Sequence, residues 1–265
     1  MDPRPLLAFD TSTEVLAVAA AGPRGNVTWN GAGGAAASAQ LVPRIHAVLA
    51  EAGVALRDLQ AIAFGRGPGA FTGLRTSCAV AQGLGFGLGR PLLPVDSLLV
   101  VAEDARGALA MTEPGRIAVA MDARMDEIYG AIYEWSGERT GGAGDAPADT
   151  PLNAPARWCT LRQPALLTLA QWNGVLEHEA GALHVLAGSA LPAFGERLHR
   201  PGALAVHAQE VDRAAALLRL AREALAAGEG IDAAQALPLY LRDKVALTTD
   251  ERLAARVAKA AGASA

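Results

Sequence analysis

Short apolar runs separated by polar breaks open the chain and predict β-strands. Residues 6–9 form an apolar run that ends in Asp10, and residues 15–21 form a second run after a polar turn. Two such runs across a short turn predict a β-hairpin. A third strand is expected at residues 26–29.

The apolar spacing then changes from that of strands to that of helices. Apolar residues recur three and four positions apart between residues 41 and 52, which predicts a helix that Ser38 caps and Gly53 ends. The next predicted elements are a buried strand at 61–64, a glycine-rich loop at 65–73, a helix at 74–88, a strand at 92–95 and a helix at 97–105.

A strand, an aspartate, a turn and a second strand follow at residues 117–121, Asp122, 123–127 and 128–135. This order repeats that of the N-terminus, and a repeat about 110 residues later favours two related lobes. One hairpin leaves duplication open. Further elements are predicted as a surface loop at 137–156, a helix at 164–172, strands at 183–187 and 203–207, and a helix at 211–227.

Each half of the chain has a β-hairpin followed by alternating strands and helices. This order predicts an α/β fold with two lobes, each with a hairpin-led mixed sheet and flanking helices. The predicted boundaries are 1–106 for the N-terminal lobe, 107–246 for the C-terminal lobe and 247–265 for a tail.

Composition supports a well-filled core, because 51% of the 265 residues are hydrophobic and 19% are charged. Aromatic residues make up only 5%, so alanine, leucine and valine must build that core. The formal net charge is −4 and the sequence has no basic stripe, so another subunit is expected to make most contacts to any RNA phosphates.

The cysteines and histidines do not have the spacing of a metal site. Cys78 and Cys159 lie far apart and are expected to be reduced, partly buried thiols. His178, Glu179 and His184 do not have the HExxH spacing of a zinc helix, and the five histidines are expected not to be ligands. The N-terminal apolar run is too short for a signal peptide, and the apolar stretch at 76–89 is too short for a membrane span. We therefore expect a soluble cytoplasmic protein.

Asp10 has two interpretations. An aspartate at the end of a buried strand, followed by Thr11 and Ser12, can hold a metal through water or face a phosphate. It can equally be a turn residue that accepts a hydrogen bond from its own backbone. The residue types leave both open.

The loop at 65–75 is the most specific local signal, and it also has two interpretations. Its backbone N–H groups can cradle an anion at a helix start, or its glycines can serve a tight strand-to-helix crossover in which Thr72 caps the helix. It matches neither a P-loop nor a dinucleotide-binding pattern. The helix after it carries Ala79, Gly83 and Gly87, and glycine within a helix indicates close approach to the core or to another subunit.

Four motifs together resemble the TsaB (YeaZ) family. They are Phe-Asp-Thr-Ser-Thr at 9–13, Gly-Arg-Gly-Pro-Gly-Ala-Phe-Thr-Gly-Leu-Arg at 65–75, Met-Asp-Ala-Arg at 121–124 with Glu-Ile-Tyr at 127–129, and Pro-Leu-Tyr-Leu-Arg at 238–242. They span nearly the whole chain in the family's order. The residues carried over as its loop and vestigial cleft are Asp10, Thr11, Ser12, Gly65, Gly67, Gly69, Thr72, Gly73 and Arg75.

The resemblance implies an actin-like, sugar-kinase-like ATPase fold, which the paralogous catalytic subunit TsaD shares. In TsaD two histidines after the strand that follows the glycine-rich loop bind the catalytic metal. Here Ser97 and Val101 stand at those positions, and neither offers an imidazole. The resemblance therefore implies a non-catalytic pseudo-enzyme with no cofactor of its own, metal and ATP being expected on partner subunits.

The resemblance further implies a scaffold that pairs with TsaD and works with the ATPase TsaE in threonylcarbamoyladenosine synthesis on tRNA. The sequence leaves open whether the chain is a homodimer or a monomer when the partner is absent, and tRNA contacts are expected mainly through the complex. The candidate interface residues are Leu41, Ile45, Leu49, Ala79, Gly83 and Gly87.

Two rival functions follow from the same residues. A stand-alone small-molecule kinase or ATPase of this fold would use Asp10, the glycine-rich loop and the Gly188–Ser189 pair for phosphate and nucleotide. A protease is disfavoured by the missing HExxH motif and by Ser97 and Val101.

Overall fold

The computed structural model describes residues 4–137, 158–202 and 204–242. The first half contains β1 (Leu6–Asp10), β2 (Val15–Gly22), β3 (Gly25–Ala32), α1 (Ala37–Ala52), β4 (Ala61–Gly67), α2 (Phe71–Leu88), β5 (Leu92–Asp96) and α3 (Ser97–Ala108). The second half contains β6 (Gly115–Arg124), β7 (Glu127–Trp135), β8 (Trp158–Thr168), α4 (Leu169–Glu179), β9 (Leu183–Ala187), α5 (Ala190–Phe194), β10 (Ala205–His207) and α6 (Arg213–Ala227).

The strands form two sheets of the same topology. The first has the order β3-β2-β1-β4-β5 and the second the order β8-β7-β6-β9-β10. In each sheet a three-stranded antiparallel meander is extended by two strands parallel to its first strand. The two-lobed α/β fold is thus confirmed, and the shared topology favours duplication more strongly than one hairpin could.

Alternation along the strands divides the core into layers. In β1, Leu7 and Phe9 pack with α1 and α2 on the outer face, whereas Leu6 and Ala8 face the layer between the sheets. Successive strand residues point to opposite faces, so a strand buried on both sides is apolar throughout. The second sheet likewise packs against α4 and α5 on its outer face.

The layer between the sheets depends on small residues. The first sheet presents Ala17, Ala19, Ala21, Ala61 and Ala63 to this layer, and α6 crosses that face. α6 therefore packs on the first sheet although it belongs to the second half, while α3 contacts both sheets. The boundaries at 106 and 246 stay predictions, and the second lies outside the described residues.

The predicted helix at 164–172 is wrong. Residues 158–168 form β8, which pairs antiparallel with β7, and α4 begins only at Leu169. Pro164 is tolerated because β8 is an edge strand and the register shifts there. Thr168 and Gln171 form a capping box that sets the start of the helix.

Two predicted helix caps are also wrong. α1 begins at Ala37 without a side-chain cap, so Ser38 lies inside the helix. α2 begins at Phe71, so Thr72 lies inside it and Ala70 is the N-cap. The last strand and helix begin later than predicted, at Ala205 and at Arg213. The surface loop beyond residue 137 and the tail after 246 lie outside the described residues.

The structure also bears on the predictions for the two cysteines and for a membrane-spanning segment. Cys78 is buried and Cys159 is exposed on β8, so only one of the two thiols is withdrawn from solvent; both are free. Burial raises the pKa of the Cys78 thiol. No helix in the described ranges combines the length and the apolar character needed to cross a membrane.

Ala19→Leu tests the small-residue layer. The extra carbons must enter the close-packed space between the first sheet and α6, and overpacking of this kind typically costs about 1–3 kcal/mol. Urea unfolding monitored by circular dichroism measures the change. Ala47→Leu, on the exposed face of α1, should leave the unfolding free energy within about 0.5 kcal/mol. Equal effects of the two substitutions would contradict the layer's tight packing.

Candidate functional site

Asp10 ends β1 with both carboxylate oxygens engaged inside the protein. Oδ1 accepts a 2.7 Å hydrogen bond from the backbone N–H of Ser12, which is the turn geometry expected of an aspartate. Oδ2 accepts from the Ser97 hydroxyl at 3.0 Å and from Nη2 of Arg213 at 2.6 Å. The residue is 0% exposed. Of the two interpretations of Asp10, the geometry supports the turn.

Arg213, the first residue of α6, is the cation of this network. Its side chain is fully buried, and Nη1 donates to Oε2 of Glu210 at 2.8 Å. Burial by itself would lower the pKa of Arg213, but the carboxylates of Glu210 and Asp10 raise that pKa above its ordinary value. The guanidinium is therefore charged, and it joins the end of β1 to the start of α6.

The glycine-rich loop packs directly on the turn after β1. A Cβ added to Gly65 would lie 2.0 Å from the Asp10 carboxyl carbon, and one added to Gly73 would lie 1.9 Å from the Thr11 carbonyl oxygen. Similarly, Gly69 lies against the carbonyl of Ser12, at 2.3 Å from a built Cβ. These loop residues are glycine because the Asp10 carboxylate, at Gly65, and the backbone of the turn, at Gly69 and Gly73, occupy the space of a side chain.

Two loop N–H groups donate within the chain. The N–H of Gly67 donates to the Ser97 hydroxyl at 3.1 Å, and that of Ala70 donates to the Ser12 carbonyl at 2.8 Å. Thr11 adds another contact between the turn after β1 and the end of the loop: its hydroxyl donates to the carbonyl of Gly73 at 2.6 Å. Of the two interpretations of the loop, these contacts support the tight strand-to-helix crossover and not the anion cradle.

A cleft of about 750 Å³ lies between the lobes. Its walls come from the turn after β1, the glycine-rich loop, the start of α3, the β6–β7 hairpin, residues 207–210 and residues 239–242. Ser97 and Val101 line it but are almost fully buried. Within the described part of the chain no three His, Cys, Asp or Glu side chains are grouped to hold a metal.

The C-terminal motif forms a strap, residues 237–242, across one end of the cleft. On the first lobe, the N–H of Leu239 donates to the Arg66 carbonyl at 2.7 Å. The Tyr240 ring lies 5.2 Å from that of Phe71, and Arg75 covers the Phe71 ring at 3.8 Å while donating to the Tyr240 hydroxyl. Arg75 therefore fixes Tyr240 of the strap beside Phe71.

On the second lobe the strap ends at the β6–β7 hairpin. The Arg242 guanidinium lies 2.5 Å from Oε2 of Glu127 and donates to the Ala123 carbonyl at 3.0 Å. The hairpin tip is strained, since Arg124, Met125 and Asp126 all have positive φ. The family's last two motifs thus meet in space.

Asp104 and His207 form a second buried pair, which the sequence did not reveal. Asp104 on α3 accepts from Nε2 of His207 at 2.8 Å and from the N–H groups of Val211 and Asp212. Burial by itself would raise the pKa of Asp104, but the His207 bond and the two backbone bonds hold that pKa below its ordinary value. The pair fixes the segment that leads into α6 and so positions Arg213.

The candidate interface residues fall into two groups. Leu41, Ile45 and Leu49 face the chain's own core and are at most 2% exposed, so they offer no surface and that part of the prediction is corrected. The other three, Ala79, Gly83 and Gly87, lie on the exposed face of α2. A Cβ built at either glycine meets nothing within 4 Å, and Phe86 on the same face is 63% exposed.

The comparisons with known proteins agree with this architecture. Residues 34–250 match the family model described as TsaD: tRNA N6-adenosine threonylcarbamoyltransferase. YeaZ from Pseudomonas aeruginosa, a solved structure, is 36% identical and superposes with a TM-score of 0.71 over 90% of this chain and 100% of that one. The chain belongs to the TsaD family, in its TsaB/YeaZ group.

Two curated relatives carry the TsaB name. The chain is 40% identical over 125 residues to the tRNA threonylcarbamoyladenosine biosynthesis protein TsaB of Haemophilus influenzae, and 37% identical over 150 residues to that of Escherichia coli. These alignments cover 47% and 51% of this chain, and 51% and 60% of the relatives' own lengths. The TsaB/YeaZ group thus fits the four motifs.

Gly73→Ala and Gly83→Ala, both in α2, test the packing of the loop on the turn. The first places a carbon on the Thr11 carbonyl and should lower the unfolding free energy by about 1–3 kcal/mol. The second should raise it by about 0.5–1 kcal/mol, because its Cβ meets open space and alanine favours the helix. Urea denaturation measures both, and a neutral Gly73→Ala would contradict the close approach.

Asp104→Asn tests the anchor of α6 through pH. A carboxyl whose folded pKa is lowered contributes stability above its unfolded pKa of about 3.9, and this is lost as pH falls through the folded pKa. The variant should lose about 1–3 kcal/mol at pH 7. Its deficit relative to wild type should shrink below about pH 4. Urea unfolding at pH 7, 5 and 3 gives this difference; a deficit that does not change with pH would argue against a charge-dependent role.

Proposed function

We propose that this chain is a non-catalytic scaffold subunit of the machinery that makes N6-threonylcarbamoyladenosine in tRNA. The two relatives named TsaB are described as biosynthesis proteins for this nucleoside, and the family model is named for the transferase. In the proposal the chain acts in the cytoplasm, pairs with a TsaD-type catalytic subunit and works with a TsaE-type ATPase.

The floor of the cleft is the observation that carries the non-catalytic assignment. The Ser97 hydroxyl donates to Asp10 and accepts from the N–H of Gly67, while the Val101 side chain is hydrocarbon and fully buried. Neither side chain can supply the imidazole ligand that the resemblance places at these positions in TsaD. The proposal accordingly puts metal and ATP on the partner subunits.

The Asp10 network argues against a stand-alone kinase or ATPase. A carboxylate that organises a metal and phosphate must face the cleft, yet Asp10 is 0% exposed and pairs with Arg213. The glycine-rich loop directs the N–H groups of Gly67 and Ala70 to protein oxygens.

The exposed face of α2 supports a role in pairing. Small residues spaced by four let the backbone of another helix approach closely, as Ala79, Gly83 and Gly87 do here, and Phe86 adds an exposed aromatic anchor. The net charge of −4 fits a subunit that leaves most phosphate contacts to its partners.

Gly83→Arg tests the pairing. Light scattering after size exclusion should show a one-to-one complex of the wild-type chain with the TsaD protein of the same organism. The arginine side chain projects from the centre of the α2 face and should weaken the complex at least tenfold, without lowering the melting temperature of the free chain, because a Cβ at this position meets nothing within 4 Å.

Gly174→Arg on α4 is the matched control, because it too is an exposed helical glycine whose Cβ meets nothing within 4 Å. It should bind TsaD like wild type. Absence of any complex at micromolar concentrations would overturn the scaffold proposal. ATP turnover by the chain alone that Asp10→Asn abolishes would favour the kinase alternative instead.

A further inference from the structure

An all-oxygen cage encloses the guanidinium of Arg213. Nη2 lies 2.6 Å from Oδ2 of Asp10, 3.2 Å from the hydroxyl oxygen of Ser12 and 3.3 Å from the carbonyl oxygen of Ser97. Nη1 lies 2.8 Å from Oε2 of Glu210. The side chains of Asp10 and Arg213 are 0% exposed and that of Glu210 is 9% exposed.

The oxygen atoms of this cage are of the kinds that hard cations prefer as ligands. Carboxylate, hydroxyl and carbonyl oxygens form the shells of Mg²⁺ and Ca²⁺ in proteins. Asp10 and Glu210 together carry two negative formal charges, and Arg213 supplies one positive charge. The nearest charged groups therefore leave one negative charge uncompensated.

The guanidinium fits this cage imperfectly. The Nε atom of Arg213 is buried and has no hydrogen-bond partner in the described structure. A buried hydrogen-bond donor without a partner destabilises the folded protein, and the Nε–H of Arg213 is such a donor. A compact ion would leave no such orphan donor.

The cage borders the cleft between the lobes. Ser12, Ser97 and Glu210 all line that cleft, whereas Asp10 and Arg213 lie behind its surface. Removing the guanidinium would therefore connect the Asp10 carboxylate to the cleft, where an ion from solution can reach it.

We propose that this cage is a cation site that the chain fills with its own Arg213. The guanidinium acts as a tethered plug: it neutralises Asp10 and prevents a divalent cation from binding between the turn after β1 and the start of α6. The identity of residue 213 thus decides whether the cleft can hold a metal and any anionic ligand that accompanies it. This inference does not depend on the proposed pairing with TsaD.

Arg213→Ala tests the plug, with MgCl₂, CaCl₂ and methylguanidinium chloride as probes. At about 10 mM each should raise the melting temperature of the variant by about 3 °C or more over NaCl of equal ionic strength, because the ion binds the folded state. Wild type, whose cage is filled, should shift by less than about 1 °C. Arg213→Lys, which keeps a cation in place, should also respond weakly.

The double variant Asp10→Asn with Arg213→Ala identifies the site, since removing the central carboxylate should abolish the response. A shift that persists in the double variant, or one of equal size in wild type, would show binding elsewhere and overturn the proposal. If Arg213→Ala does not fold in NaCl, recovery of native circular dichroism with the three probes becomes the readout. Failure of all three to stabilise or restore the variant also overturns it.

Discussion

The buried pair of Asp10 and Arg213 is the constraint on which the centre of the molecule depends. Removing two opposite charges from water costs several kcal/mol per ion, and a buried pair is tolerated only where further hydrogen bonds complete it. Ser12, Ser97 and Glu210 supply those bonds. Because the pair joins residues 203 positions apart, it ties the first strand of one lobe to the last long helix of the other.

The packing around the Asp10–Arg213 pair has several parts that together allow α6 and the turn after β1 to lie where they do. α6 can lie across the first sheet because that face is built of alanine, including Ala17 and Ala19. The turn after β1 can lie so close to the glycine-rich loop because Gly65 and Gly73 have no side chains. Asp104 fixes the approach to α6 from the side of α3. The hydroxyls of Ser12 and Ser97 and the N–H groups of Gly67 and Ala70, at or beside the cleft, thus already have partners inside the chain.

This arrangement separates the cleft from the face proposed for pairing. One side of α2 carries Gly73, Ser77 and Cys78 into the protein, where the first two contact Thr11 in the turn after β1 and Cys78 contacts the carbonyl of Ala236. The opposite side leaves Gly83 and Phe86 exposed. A single helix therefore packs one face against the turn after β1 and exposes on its other face the surface proposed for pairing.

The sequence by itself determined the elements whose signals are local. The hairpin at Asp10, the glycine-rich loop between a strand and a helix, and the amphipathic pattern of α1 came from spacing and turn residues, and the four motifs indicated the family. It failed at β8, because the apolar run after Pro164 suits a helix as well as an edge strand, and only pairing with β7 decides. It could not assign Leu41 to the core or Gly83 to the surface, because the period of a helix does not say which neighbour each face meets. The pairing of Asp10 with Arg213 and of Asp104 with His207 was decided by tertiary structure alone, since side chains so far apart in sequence meet only when two sheets and the helices between them have packed.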